Sequence, residues 1–307
     1  MTNYRKASVV VLSGGVGGAR MARGFDGIAV DATVVVNVGD DARIHGVHVS
    51  ADLDTVMYTL AGIEGELGWG RRNDTFHVMN ELANLGVDTT FRIGDLDLAT
   101  CMKRSAALAE GVPLSTITRD FTKAFGVRST VLPVTDDPVR TRVRTTDGWL
   151  DFQEYFVIRQ HQDRVQELDF AGAATAEVAP GVIEALTSAE LVVIAPSNPP
   201  LSIWPMLAIP AITTAVADHP NVVAVSPLFG GRALKGPAAE VMASLGLQEG
   251  NRGVVESYRG MIDGLIVDTG DAVDADTLGL PVLVADTRVA SPNDAARLAT
   301  EILEWRT

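Results

Sequence analysis

The segment from Val9 to Arg20 constrains the fold of this chain more than any other. An apolar run, Val9–Leu12, is followed by Ser13, then by four glycines within five residues, and then by a helix-compatible stretch. A strand, a tight turn and a helix in this order are typical of a nucleotide-binding βαβ unit. Glycine lacks a Cβ, so backbone N–H groups can approach an anion closely, and the helix N-terminus adds unpaired donors. The pattern predicts a phosphate-binding loop made of Gly14, Gly15, Gly17 and Gly18.

The glycine spacing also excludes two common phosphate sites. No Lys-Ser or Lys-Thr pair follows the glycines, as the loop of P-loop nucleotidases requires. The dinucleotide fingerprint fails as well, because Arg20 occupies the place of its last glycine. A nicotinamide-dependent dehydrogenase is therefore disfavoured. The remaining alternative is a glycine-rich turn that only packs a helix against a strand.

Composition and hydrophobic runs indicate one large α/β domain covering residues 1–307. The chain is 47% hydrophobic and carries only 6% aromatic residues, as expected for a parallel sheet covered by helices. Short, continuously apolar runs predict buried parallel strands at Ser8–Leu12, Thr33–Asn37, Leu191–Ala195, Val222–Val225, Leu265–Asp268 and Val282–Asp286. Helical patterns fall between them, at Asp54–Leu60, Thr75–Leu85, Asp97–Glu110, Gly236–Leu245 and from Ser291 onward. We therefore expect a Rossmann-like, doubly wound, mostly parallel sheet.

Residues 114–166 interrupt this alternation and are predicted to form a smaller inserted subdomain. Val139–Arg144 and Trp149–Phe152 flank an Asp-Gly pair, which is typical of an antiparallel hairpin. Three arginines alternate along the first strand, at positions 140, 142 and 144. They could line an anion site, but alternating arginines more often decorate a solvated strand face.

The charge and the cysteine content limit partners and compartment. The formal charge of −14 is opposite in sign to the basic surface that binds nucleic acid, so no nucleic-acid partner is expected. The single cysteine, Cys101, excludes an internal disulfide and a cysteine metal cage. The chain has no secretory leader pattern and no apolar run long enough to span a bilayer, which predicts a cytoplasmic protein without membrane contact.

Two acidic segments follow the first elements of the predicted sheet. Asn37–Asp41 lies directly after the second strand, where carboxylates would face the glycine loop. Asp52–Thr55 lies at the start of a helix, so either carboxylate could instead be a helix cap. Beside a polyphosphate, such carboxylates can bind ribose hydroxyls or hold Mg²⁺. His45 and His48 lie between the segments, and imidazole is a poor ligand for so hard an ion.

Basic residues next to helix starts are candidates for balancing an anion in this acidic chain. Arg71–Arg72 and Arg92 each precede an Asp or Thr that can cap a helix. Capping explains these Asp and Thr residues, but it does not explain the arginines beside them. Lys235 follows a Gly-Gly-Arg sequence after a predicted strand.

With these motifs assembled, the chain resembles the 2-phospho-L-lactate transferase family of coenzyme F-420 biosynthesis, over essentially its whole length. The blocks that carry the resemblance include Ser13–Ala19, Val36–Asp41, Asp52–Tyr58, Trp69–Gly70, Asn73–Phe76, Gly94–Thr100, Leu132–Pro133, Ala195–Pro199 and Val225–Pro227. Its glycine loop and its Gly39–Ala42 segment resemble the actinobacterial branch, which is associated with a phosphoenolpyruvate-derived donor.

The resemblance implies a reaction and a set of site residues. Family members transfer a phospho-three-carbon group, lactyl or enolpyruvyl, from a GDP-linked donor to the ribityl hydroxyl of the deazaflavin Fo, and GMP leaves. By position, Asp54 and Arg92 would contact Fo, and Asp40 and Asp54 would hold Mg²⁺. The loop Gly14–Gly18 and Asn37 would face the diphosphate, and Ser197 and Asn198 the nucleotide.

Asp54 is the candidate to accept the proton of the ribityl hydroxyl; its competing role is that of a metal ligand alone. A homodimer is also expected from the family. The alternative function is that of a nucleotide-sugar-binding regulator of the gluconeogenesis-factor type, which shares this fold and a similar glycine loop but needs no Fo contacts.

Overall fold

The chain folds around a parallel sheet whose strands are the apolar runs of the sequence. The computed structural model describes residues 7–233 and 236–306. The strands, in chain order, are β1 Ser8–Ser13, β2 Asp31–Val36, β3 Ala42–Ile44, β4 Val47–Val49, β5 Thr130–Pro133, β6 Arg140–Thr145, β7 Gly148–Asp151, β8 Glu167–Ala171, β9 Leu191–Ile194, β10 Val222–Val225, β11 Leu228–Phe229, β12 Arg232–Ala233, β13 Gly264–Asp268 and β14 Val282–Ala285.

The central sheet has the order β14-β13-β10-β9-β1-β2-β5 in the described part of the chain, and all its pairings are parallel. From β1 the chain builds outward through β2 and β5, and from β9 it builds in the opposite direction. The strand order therefore reverses between β1 and β9, where open α/β sheets bind ligands beyond the carboxyl ends of their strands. This confirms the predicted α/β, doubly wound architecture.

Helices cover the sheet and bury its apolar strands. They are α1 Gly15–Asp26, α2 Ala51–Ala61, α3 His77–Asn84, α4 Asp95–Ala109, α5 Leu114–Phe125, α6 Val182–Ser188, α7 Trp204–Leu207, α8 Pro210–Ala217, α9 Ala238–Ser244, α10 Asn251–Ser257 and α11 Pro292–Arg306. Strands β9 and β10 are buried at every position, as expected when both faces of a sheet are covered. The cap predicted at Ser291 is confirmed, because Ser291 Oγ accepts from Asp294 N while the Asp294 carboxylate accepts from Ser291 N.

The interval 114–166, predicted as an insertion, contains elements of two kinds. Helix α5 and strand β5 belong to the core, since β5 pairs in parallel with β2. The predicted hairpin is confirmed as β6 and β7, and β8 adds a third antiparallel strand on the other side of β6. The small antiparallel sheet thus runs from Arg140 to Ala171.

Arginines of this small sheet are paired on its surface. Arg144 lies 3.0 Å from a Glu167 carboxylate oxygen, and Arg142 lies 3.8 Å from one of Asp169. The alternation of arginines therefore marks a solvated strand face, as the commoner interpretation predicted.

Among residues 7–233 and 236–306, no single helix has the length and apolarity needed to cross a membrane. Two consecutive helical segments, Pro199–Leu207 and Pro210–Ala217, reach that length and apolarity only when they are taken together, and the chain bends by 98° between them.

Candidate active site

A cavity of about 930 Å³ opens at the carboxyl edge of the sheet, at the point where the strand order reverses. Its wall contains most of the residues singled out in the sequence, namely Gly14, Gly15, Gly17, Asp40, Asp54, Arg92, Ser197 and Asn198. Gly18 and Asn37 lie behind this wall and are buried. Segments separated by up to about 180 residues thus meet in one space because β1, β2 and β9 are neighbours in the sheet.

The first two N–H groups of the glycine loop are already engaged by protein side chains. Gly14 N donates to Ser197 Oγ at 3.2 Å, and the same hydroxyl donates to Gly14 O at 2.7 Å. Gly15 N donates to Asp52 Oδ1 at 2.6 Å. Since the first turn of a helix lacks internal acceptors, the N–H groups of Val16 and Gly17 remain available to an anion. We therefore expect an anion to bind at the N–H groups of Val16 and Gly17, and not at the N–H groups of Gly14 and Gly15.

Gly17 and Gly18 are also required for packing. A Cβ on Gly17 would lie 2.4 Å from the Pro196 carbonyl oxygen. A Cβ on Gly18 would lie 2.5 Å from Ser13 Oγ and 2.7 Å from Ser197 Oγ. The close approach of α1 to the loop after β9 excludes a side chain at both places, so the packing interpretation holds alongside the ligand-binding one.

Asp52 is a site residue whose place the sequence did not reveal. Its Oδ2 accepts from Asn37 Nδ2 at 3.0 Å, while Asn37 Oδ1 accepts from Gly39 N at 2.8 Å. Through these contacts Asp52 ties the start of α1 to the loop after β2. The alternative of a helix cap is wrong for both acidic residues, because α2 starts after Ser50 and Asp52 and Asp54 lie in its first turn.

Asp54 forms a buried ion pair with Arg104, a partner 50 residues away on α4. The two side chains are 7% and 1% exposed, and Arg104 also donates to the His48 carbonyl at 3.2 Å. Burial raises the pKa of Asp54 to about 7, and the Arg104 charge opposes that shift. The sequence offered no signal for Arg104, since an arginine inside a helix is ordinarily exposed.

Asp40 and Asp41 complete a group of four buried carboxylates. Burial, followed by the charges of Asp52 and Asp41, raises the pKa of Asp40 well above its usual range. Asp41 Oδ2 accepts from Ser50 Oγ at 2.7 Å and lies 2.9 Å from His48 Nε2. Within the described residues, Asp40 Oδ1 and Asp41 Oδ1 are buried and have no hydrogen-bond partner.

These unpartnered oxygens fit a hard divalent cation. Buried carboxylate oxygens without donors are costly unless a cation or a proton meets them, and Mg²⁺ prefers oxygen ligands. A second group, Asp54 with Asp97 and Cys101, brings three ligand atoms within 4.8 Å of one another. It fits a cation poorly, because burial raises the pKa of the Cys101 thiol and the Arg104 guanidinium already lies beside it.

Arg92 also lines the cavity, beside two helix starts that cap each other. Asp74 accepts from Leu96 N and Asp97 N, and Asp95 accepts from His77 N and Val78 N, so the predicted capping is confirmed and reciprocal. The Arg92 guanidinium donates to Asn80 Oδ1 at 2.9 Å and lies over the Phe76 ring at 4.8 Å. Lys235, a further basic candidate, lies outside the described residues.

An aromatic wall was missed in the sequence. Phe152 and Phe156 stack with ring centroids 5.3 Å apart, His161 adjoins Phe156, and all three line the cavity. They come from the segment after β7, and their placement depends on how the small antiparallel sheet packs. Such a wall suits a flat ring system.

Comparison with known proteins places this arrangement in a family. The family model described as 2-phospho-L-lactate transferase CofD matches residues 9–292. A phosphoenolpyruvate transferase of Streptomyces griseus is 40% identical over 96% of this chain and 97% of its own. A 2-phospho-L-lactate transferase of Methanopyrus kandleri is 40% identical over 96% of each chain.

A solved structure shares the fold. The crystal structure of a UPF0052-family protein from Bacillus halodurans covers 97% of this chain and 100% of that chain, with a TM-score of 0.65 and 16% identity. At that identity the likeness shows the fold alone. The family model and the full-length relatives show more: this chain belongs to the 2-phospho-L-lactate transferase family.

Proposed function

We propose that this protein transfers a phospho-three-carbon group, lactyl or enolpyruvyl, from a GDP-linked donor to the ribityl hydroxyl of Fo, with release of GMP. One observation carries the proposal: free helix N–H donors, buried carboxylates and Arg92 all face a single cavity of about 930 Å³. Transfer from a diphosphate needs these groups, because it depends on positioning and on neutralising charge.

The donor side of the cavity is the glycine loop with the loop after β9. The N–H groups of Val16 and Gly17 point from the start of α1, where an anion is also stabilised by the helix dipole. Asn198 uses its side-chain oxygen to accept from Leu201 N at 3.3 Å, which leaves its amide nitrogen for the nucleotide. Ser197 acts through Gly14, because its hydroxyl accepts from the Gly14 N–H and donates to the Gly14 carbonyl.

Asp40 and Asp54 would hold Mg²⁺ in this proposal. The ion would supply positive charge to the phosphate oxygens as the bond to the leaving GMP breaks. The two carboxylates come from different elements, the loop after β2 and the start of α2. Asn37 and Asp52 keep these two elements together by the hydrogen bond between their side chains.

Asp54 would also accept the proton of the attacking hydroxyl. The carboxylate lines the cavity, and its pKa of about 7, raised by burial, suits a group that takes up a proton near neutral pH. Arg104 binds Oδ1 and so orients the carboxylate, which leaves Oδ2 to face the ion and the attacking hydroxyl. Arg92, which also lines the cavity, would contact Fo.

The test is a transfer assay followed by mass spectrometry. The protein is incubated with Fo, Mg²⁺ and either the lactyl or the enolpyruvyl GDP-linked donor, and the Fo-phospho adduct and GMP are measured. Asp54→Asn should lower turnover by about a thousandfold, within the range that general-base catalysis and metal ligation together supply. Asp169→Asn is the matched control, since that carboxylate is exposed on the small sheet.

Adduct and GMP formation would support the proposal, and the adduct mass would identify the donor, because the two adducts differ by two hydrogen atoms. Wild-type turnover by Asp54→Asn would remove Asp54 from the mechanism. No adduct with either donor, together with tight binding of a UDP-sugar, would overturn the proposal in favour of the regulator. The family model and the full-length relatives lend no support to that alternative.

A further inference from the structure

We propose that Arg20 binds the carboxylate of the three-carbon unit of the donor. This inference rests on the proposed function and assigns a residue to a part of the substrate that the groups discussed above do not contact. Arg20 lies on α1, half-buried, and its side chain lines the cavity.

The position of Arg20 follows from the helix that carries the glycine loop. It lies one turn after Val16, so both side chains share a face of α1. A Cβ placed on Gly68 would contact both, at 2.6 Å from Val16 Cγ1 and 3.6 Å from Arg20 Nη2. The guanidinium therefore lies between α1 and the loop that carries Trp69 and Gly70, which also line the cavity.

Arg20 differs from Arg104 and Arg23 in having no carboxylate partner among the described residues. Arg104 pairs with Asp54, and Arg23, one turn further along α1, lies 2.5 Å from a Glu64 oxygen. Arg92 also has no carboxylate partner in the described part of the chain, but its guanidinium is held by the neutral side chain of Asn80. Within residues 7–233 and 236–306, Arg20 has neither an ion pair nor a side-chain hydrogen bond. In a chain of net charge −14, a half-buried guanidinium without a carboxylate partner is positioned for an anionic ligand.

The chemistry of the donor identifies the anion. The free N–H groups of Val16 and Gly17 meet the diphosphate, and the four-residue step from Val16 to Arg20 spans about 6 Å along the helix axis. A guanidinium fork matches the two oxygens of a carboxylate. Lactyl and enolpyruvyl units both carry a carboxylate next to the carbon that bears the phosphate. Arg20 would thus bind either donor and would not select between them.

The experiment compares the intact donor with GDP, which lacks the three-carbon unit. The donor KM and the inhibition constant of GDP are measured for wild type, Arg20→Ala, Arg20→Lys and the exposed-surface control Arg259→Ala. Arg20→Ala should raise the donor KM by about ten- to a hundredfold, the range for a lost charged hydrogen-bonded pair, and change the GDP constant less than about threefold. Arg20→Lys should recover part of the loss, because lysine keeps the charge without the fork.

Equal weakening of donor and GDP would overturn the assignment, since the guanidinium would then act on the diphosphate. An unchanged donor KM in Arg20→Ala would overturn it as well. Turnover by the wild-type protein is measured first: if no adduct forms there, the proposed function itself has failed, and this outcome is distinct from either result on Arg20.

Discussion

Replacing Arg104 by methionine is expected to destabilise the protein by about 3–5 kcal/mol. Arg104 is 1% exposed and its partner Asp54 is 7% exposed, so above the Asp54 pKa of about 7 the substitution leaves a buried carboxylate without its counter-charge. It also removes the donor to the His48 carbonyl. Methionine fills much of the volume of the arginine stem, and the expected loss is therefore mainly electrostatic.

The loss should be visible in both chemical and thermal unfolding. For 307 residues, an unfolding entropy of about 2.1 cal/mol/K per residue converts this loss into a fall in Tm of about 5–8 °C. Urea unfolding followed by circular dichroism measures the free energy directly. Arg128→Met is the control, because Arg128 pairs with Asp26 while 75% exposed, and such surface pairs contribute about 0–1 kcal/mol.

The double variant Arg104→Met with Asp54→Asn separates this reasoning from a packing effect. Removing the charge of Asp54 together with Arg104 should restore at least about 2 kcal/mol relative to Arg104→Met alone. If the loss of unfolding free energy in the double variant equalled the sum of the losses in the two single variants, the unpaired charge would not be the cause of the destabilisation. A loss below about 1 kcal/mol in Arg104→Met would refute the argument from burial.

Three further outcomes are expected. Arg92→Ala should weaken Fo binding by about fivefold or more, as measured by Fo fluorescence, while changing the donor KM less than twofold. An unaltered Fo affinity would show that Arg92 does not contact Fo. The Cys101 thiol, whose pKa is raised by burial, should react with a disulfide reagent at pH 8 only after unfolding, and prompt reaction in the native protein would contradict its burial. Burial raises the pKa of Asp52 to about 6 and that of Asp54 to about 7, so both carboxyls bind protons more tightly when folded. Their contribution to stability is complete below about pH 4 and is lost as the pH rises through 6 and 7. The Tm of metal-free protein should therefore fall between pH 5 and pH 8, and Mg²⁺ should reduce that fall. A Tm that rises with pH would show that the pKa values of Asp52 and Asp54 are not raised on folding.

The sequence by itself determined the fold class because buried parallel strands need continuous apolar runs. Six of the seven central strands were recognisable in this way, and the hairpin was recognisable from its Asp-Gly turn. Strand β5 was not, because Thr130–Pro133 is short and lies beside the segments that form the antiparallel sheet. The glycine loop could be located from its composition alone, since few other patterns place four glycines between a strand and a helix.

Only the tertiary structure decided which groups meet. Local patterns do not specify that β9 lies beside β1, and that neighbourhood is what brings Ser197 onto Gly14. The pairing of Asp54 with Arg104 and the contact of Asp52 with Gly15 join segments 50 and 37 residues apart. Such contacts depend on the packing of one element against another, and their energies come from burial, which no short stretch of sequence reports.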